Sequence, residues 1–113
     1  MLEEQKSPFG NRNQQGKNPT FFRLEVRVFG KVQGVSFRTF ATREAQRLGL
    51  TGTVSNATGG GVSVVAEGDR TALQSFLSRL RQGPSDAEIE RIEEKWAQGL
   101  GRFSTFDITN DEG

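Results

Sequence analysis

The segment Val28-Phe29-Gly30-Lys31-Val32-Gln33-Gly34-Val35-Ser36-Phe37-Arg38 constrains this chain more than any other. Arg23-Leu24-Glu25-Val26-Arg27-Val28 leads into it with polar and apolar residues in turn, the pattern of a strand with one buried face. Beyond it, Phe37, Phe40, Ala41, Ala45 and Leu48 recur at helical spacing, and Gly49 is a fitting stop. Glycines at 30 and 34 let the turn between strand and helix take torsions and approaches that a Cβ obstructs. Such a turn gathers unpaired N–H groups, the positive end of a helix dipole and the charge of Arg38 around one small volume. That volume suits a phosphate. Two glycines alone also mark an ordinary tight turn with no ligand. The spacing is not G-x-x-x-x-G-K-[ST], so no nucleotide is implied.

The remaining pattern predicts a second strand over about Thr51–Asn56 and a third over about Val62–Glu67, with Val62, Val64 and Ala66 on one side. Ala57-Thr58-Gly59-Gly60-Gly61 reads as the hairpin between them. A second helix begins near Asp69, a good N-cap, places Ala72, Leu73, Phe76, Leu77 and Leu80 on one face, and ends at Gly83-Pro84. Over Ala87–Trp96, residues Ile89, Ile92 and Trp96 fit a helical period better than a two-residue alternation. A short final strand is expected around Ser104–Thr109. Residues 1–20 are polar, rich in Asn, Gln, Lys and Gly, and are expected to be a disordered extension; 21–110 form one domain and 111–113 a tail.

Composition narrows the chemistry. The 113 residues include no cysteine and no histidine, which removes disulfides, thiolate or Ser-His nucleophiles and the usual zinc ligand sets. Any catalysis must come from positioning and electrostatics, or from carboxylates, lysine and water. A net charge of +1 argues against broad affinity for nucleic acid or membranes. No apolar run approaches the ~20 residues of a membrane span, and Met1–Lys6 does not resemble a secretory signal, so a cytoplasmic protein is expected.

Two side chains stand out beside the loop. Arg38 carries a permanently charged planar fork able to hold two phosphate oxygens. In the first turn of a helix it opposes the dipole, which makes sense if an anion fills the site; the plain alternative is a surface arginine paired with Glu44. Asn56 ends the second strand, a common place for a turn asparagine. Its carboxamide could also accept from and donate to a water, orienting it without taking its proton. The backbone N–H groups of Gln33, Gly34, Val35, Ser36, Phe37 and Arg38 are the candidate anion cradle.

On these residues the chain resembles the acylphosphatase family, small enzymes that hydrolyse carboxyl-phosphate anhydrides. Val28 to Arg38 satisfies the first family signature, an apolar residue followed by x-G-x-V-Q-G-V-x-F-R, without a mismatch. The second signature is broadly G-aromatic-V-basic-N-x-x-x-G-x-V with a glycine six residues later. It is met by Gly52, Val54, Asn56, Gly60, Val62 and Gly68. Thr53 replaces the usual aromatic residue, a change expected to bear on packing or substrate contacts near the site. Ser55 replaces a basic or amide residue at a position expected to be a tolerant surface one.

The resemblance runs from about Arg23 to Ile108. It implies an α+β, ferredoxin-like sandwich with two helices on one face of an antiparallel sheet, in the order βαββαβ plus a short final strand. It also makes Ala87–Trp96 a strand, with a bulge between Ile89 and Ile92. Functionally it implies hydrolysis of small acyl phosphates to a carboxylate and inorganic phosphate by a monomer, with no metal, cofactor or covalent intermediate. Arg38 and the loop amides would bind the phosphoryl group and Asn56 would position the attacking water. Three other readings stand beside it. An RNA-binding module shares the element order but wants aromatics on the third strand, which reads Val62-Ser63-Val64-Val65-Ala66-Glu67. A hydrogenase-maturation domain generally has proline after the signature arginine, where this chain has Thr39. An inactive relative would bind anions only. Arg43, Glu44 and Arg47 read as a solvated helix face, and the carboxylates of Asp86–Glu94 as surface groups that do not converge. Phe40, Phe76 and Trp96 read as core.

Overall fold

The computed structural model describes residues 21–34 and 36–110; the readings made for 1–20, Val35 and 111–113 lie outside them. The elements are β1 (Phe21–Lys31), α1 (Phe37–Arg47), β2 (Thr51–Asn56), β3 (Val62–Asp69), α2 (Arg70–Gln82), β4 (Glu88–Gln98) and β5 (Phe106–Ile108). They form one five-stranded sheet in the order β4-β1-β3-β2-β5. Two helices pack on one of its faces around a core that includes Leu24, Val26, Val28, Val54, Val62, Val64, Ala66, Phe37 and Phe76. This is the ferredoxin-like sandwich expected from the sequence.

Alternation sets the register. Leu24, Val26 and Val28 lie opposite Ala66, Val64 and Val62 across the β1–β3 ladder, so one face of both strands is apolar and faces the helices. Phe37, Phe76 and Phe106 are fully buried, and Phe76 meets Phe106 edge-on at 5.9 Å. Burial of each ring is worth roughly 1.5–3 kcal/mol before the edge contact is counted. Phe40 sits nearer the rim, tilted against Phe37 and covered by the Arg79 guanidinium at 5.5 Å.

Helix α2 starts as its sequence requires, with Asp69 accepting from the Thr71 N–H at 3.2 Å, and Gly83 ends it at φ 66°. β4 is a strand although its apolar residues recur at helical spacing. Opposite it the β1 register shifts, with Phe29 paired to Arg91 and Gly30 to Ile89, which leaves Glu90 as the bulge residue. The extra residue brings Ile89 round to the side of Ile92 and Trp96, and all three pack against the core. Gly30 is required there: at φ 132°, a Cβ would lie 2.1 Å from the Glu88 carbonyl oxygen.

Four expectations need correction. β5 runs parallel to β2, pairing Gly52 with Phe106 and Val54 with Ile108, so the sheet is mixed rather than purely antiparallel. The chain must cross from the β4 edge to the opposite edge to reach that place. Glu67 fastens the crossing, its side chain wholly buried and accepting from Leu100 N–H (2.8 Å), Gly101 N–H (2.9 Å) and Arg23 Nη1 (3.2 Å). Ser55 is buried rather than on a tolerant surface. Glu44 is not on a solvated face: it clamps the helices together by accepting from Arg47 of α1 (2.8 Å) and Arg79 of α2 (3.3 Å). The Arg47 contact, opposed in part by burial and assisted by Arg79, holds its carboxyl below the usual range. Thr53 pairs with Val65 and Asp107 and faces away from Val54 and Asn56, because alternate strand residues point to opposite faces. The aromatic-to-threonine departure therefore does not touch the face that Asn56 uses.

Candidate active site

Strand pairing brings the first signature and the Asn56–Val62 part of the second to one end of the sheet. Val62 pairs with Val28 on one side and with Asn56 on the other, so the β1–α1 loop and the β2–β3 hairpin emerge together. Val32 anchors the loop: it is buried, and its N–H closes a tight turn on the Gly30 carbonyl at 3.0 Å. Gln33 then reaches from the loop to the hairpin, its Nε2 donating to the carbonyls of Ala57 (3.1 Å) and Gly61 (2.6 Å). Gly34 follows at φ 75°, with open space where a Cβ would stand. The chain next turns into α1 at Ser36.

The start of α1 contrasts with that of α2. Ser36 occupies the N-cap but makes no capping bond, and no acidic residue lies in the first turn. Its hydroxyl donates instead to Asp86 Oδ1 at 3.1 Å, across to the α2–β4 connection. Among the described residues, no backbone carbonyl takes the N–H groups of Gln33, Gly34, Ser36 or Phe37. A helix N-terminus whose described loop N–H groups meet no backbone carbonyl, with a half-buried arginine, Arg38, in its first turn, attracts an anion. Glu44, the carboxylate weighed above as a partner for that arginine, instead accepts from Arg47 and Arg79.

Asn56 supplies the other half. Among the described residues, its Oδ1 is the buried side-chain oxygen with no hydrogen-bond partner. Leaving such an acceptor unsatisfied costs about 1–3 kcal/mol, so its retention points to a partner that arrives with the ligand. A carboxamide there can accept from a water held against the anion. Among the described residues, no group of three or more His, Asp or Glu side chains could hold a metal. Glu93 and Glu94 are drawn to Arg91 and Arg81 respectively. No helix of the described residues is long and apolar enough to cross a membrane.

The open sheet face is laid out differently. Glu25 and Arg27 lie opposite Lys95 and Glu93, charge against charge. The Phe29 ring is covered by Arg91 at 4.1 Å and Arg27 at 5.9 Å, and Arg23 lies 5.8 Å from the Phe103 ring. These rings lie under guanidinium groups rather than as bare platforms for bases.

Sequence reasoning singled out Arg38, Asn56 and the loop as candidates, and treated Gln33 only as a backbone donor without reading its side chain. Comparison with known proteins agrees with the geometry. The acylphosphatase family model matches residues 24–108. An acylphosphatase of Dehalococcoides mccartyi (strain CBDB1) is 49% identical over 86 residues, covering 75% of this chain and 94% of that protein. The structure of an acylphosphatase from Coxiella burnetii superposes with a TM-score of 0.77 at 31% identity, covering 85% of this chain and all of the other. Full-length HypF, in a phosphate- and nucleotide-bound form, matches with a TM-score of 0.75 at 27% identity, but the match spans only 13% of its length. With a family model matching residues 24–108 and an acylphosphatase matched over nearly its whole length, on a ferredoxin-like sandwich that carries both signatures, this chain belongs to the acylphosphatase family.

Proposed function

We propose that this protein hydrolyses the carboxyl-phosphate bond of small acyl phosphates. The observation that carries the reading is the pairing of an uncapped, arginine-bearing helix start with a buried carboxamide oxygen that has no protein partner. The backbone N–H groups of Gln33, Gly34, Val35, Ser36, Phe37 and Arg38, with the Arg38 guanidinium, enclose the three phosphoryl oxygens. Asn56 Oδ1 accepts from a water and aims its lone pair at phosphorus. The water oxygen attacks in line, and the bond from phosphorus to the acyl oxygen breaks with its electron pair going to the carboxylate. The water's proton passes to the phosphate and solvent. The products are inorganic phosphate and a free acid.

A carboxylate is a good leaving group and the transition state spreads charge over oxygens, so positioning and electrostatic stabilisation suffice. Neither a strong general base nor a metal is required. The reading extends to a cytoplasmic monomer acting on soluble substrates, without nucleic acid or membrane. Benzoyl phosphate hydrolysis tests it, with Arg38→Ala as control. The wild-type protein should turn the compound over, and the variant should lose at least the ~10²–10³ in rate carried by one oxyanion donor. An inactive wild-type protein, or an Arg38→Ala variant of normal rate, would overturn it.

A further inference from the structure

The two halves of the site lie on separate segments, and the strand pairing that joins them ends at Asn56 itself and short of the loop. The β1–β3 ladder ends at Val28–Val62 and the β2–β3 ladder at Asn56–Val62. Beyond those pairs the phosphate-binding loop continues to residue 36, and the hairpin continues through Ala57–Gly61. Asn56 sits at the root of that hairpin. A displacement of the hairpin against the loop would therefore carry the water-positioning oxygen away from the phosphorus while leaving the anion cradle intact.

The Gln33 side chain bridges this gap. Its two amide hydrogens are spent on the carbonyls of Ala57 (3.1 Å) and Gly61 (2.6 Å), the residues that close the turn. The same two carbonyls already accept from within the turn, Gly61 O from Ala57 N–H at 3.0 Å and Ala57 O from Gly60 N–H at 3.1 Å. Gln33 thus engages the second lone pair of each, and grips the hairpin at both ends of its turn. Among uncharged side chains a primary carboxamide is the one that offers two donors at this reach; a carboxylate has none, and an ammonium or guanidinium would add charge. The orientation of the amide is determined chemically, since the reverse would set Oε1 against two carbonyl oxygens.

We infer that the Gln33 side chain is a positioning residue for this reaction, a strut that fixes the hairpin bearing Asn56 against the phosphate-binding loop. The inference rests on the acyl phosphate hydrolysis proposed above and adds to it a division of labour within one residue. The Gln33 backbone N–H faces the anion, while its side chain sets the aim of a water held by a different segment. Loss of the strut should lower turnover more than phosphate affinity, because misplacing a reacting group by about 1 Å can cost 10²-fold in rate.

Gln33→Met keeps the length of the side chain and removes both donors. Its kcat on benzoyl phosphate should fall about 10- to 100-fold, whereas the inhibition constant for inorganic phosphate should stay within about threefold of wild type, since the cradle is backbone and Arg38. Gln33→Glu should be at least as slow near neutral pH, with its carboxylate facing two carbonyls. Its kcat should climb as pH falls through the carboxyl range, where the introduced side chain regains one donor on protonation; the wild type should show no such rise. A second readout needs no turnover. In the wild type, titration with inorganic phosphate should shift the NMR signals of both the loop amides and the Asn56 carboxamide. In Gln33→Met the loop signals should still respond and the Asn56 response should be lost or scattered. Unchanged kcat in Gln33→Met, equal losses in kcat and phosphate affinity, or an unaltered Asn56 response would each overturn the strut. An inactive wild-type protein would instead overturn the proposed function, with the phosphate titration still deciding the strut.

Discussion

Glu67→Gln tests how the crossing between β4 and β5 is held. The carboxylate uses Oε1 for the Gly101 N–H and Oε2 for both the Leu100 N–H and Arg23 Nη1. An amide keeps one oxygen, so one backbone N–H must face an NH2 group, and the ion pair with Arg23 is lost in either orientation. The lost charged bond is worth about 1.5–3 kcal/mol and the orphaned buried donor about 1–3 kcal/mol. Relief of the buried charge and residual hydration of Arg23, whose side chain is 19% exposed, offset part of this. A net loss of about 3 kcal/mol corresponds to a fall in Tm of roughly 12–24 °C for a domain of this size.

The acid limb of stability gives a second signature. Burial pushes the Glu67 carboxyl up, but the Leu100 and Gly101 N–H groups and Arg23 outweigh it and hold the group below its ordinary value of 4.5. A folded-state value below the unfolded one contributes stability above about pH 4.5, and that stability is lost as pH falls further. Thermal melts from pH 7 down to pH 3 should show a steep acid loss in the wild type and a shallower one in the variant. The variant's turnover at 25 °C should stay within twofold, since the clasp lies at the far end of the sheet from Asn56. A Tm within 2 °C of wild type at pH 7, or an identical acid slope, would refute the reasoning.

Three further outcomes are expected. Gly30→Ala drives a Cβ to 2.1 Å from the Glu88 oxygen, so it should disrupt the β1–β4 bulge and reduce both Tm and activity, seen by melting and assay together. Asp69→Ala removes the α2 cap and should cost about 1 kcal/mol in denaturant unfolding, with no change in kcat. Activity should persist in EDTA and be flat between about pH 6 and 8, where no group assigned to the reaction titrates and the chain has no histidine. Metal dependence or a bell-shaped profile in that range would contradict the mechanism.

Local signals made most of the fold readable, and their failures have physical causes. The helical spacing from Phe37 and the cap at Asp69 describe residues that interact with near neighbours in sequence, and the alternation in Arg23–Val28 records which strand face is buried whatever the distant partner. β4 misleads a periodicity argument because Glu90 bulges, shifting the parity of Ile89 against Ile92 and imitating a helix. The parallel placement of β5 was not legible. It depends on a crossing fastened by Glu67, a residue that looks like any polar member of an alternating strand until its partners at Leu100 and Gly101 are known. Ser55 and Glu44 were read as exposed from residue type alone, yet one is buried in the sheet and the other lies between two helices.

The candidate site divides the same way. Arg38 and the loop are contiguous in sequence, so turn chemistry and the helix dipole point to them directly. Asn56 is singled out in the sequence only by a family signature, since an asparagine at a strand end is commonplace. For the Gln33 side chain the signature specifies a glutamine but not what it bonds, because its partners lie 24 and 28 residues away and are backbone carbonyls, which carry no residue-type mark.

The most direct measurement is steady-state hydrolysis of benzoyl phosphate by Asn56→Ala, with inorganic phosphate as inhibitor in the same assay. A kcat reduced by orders of magnitude, with phosphate still inhibiting at wild-type concentrations, is the result a water-aiming carboxamide beside a separate anion cradle requires. Near-normal turnover in that variant, or phosphate affinity lost along with it, would contradict the account.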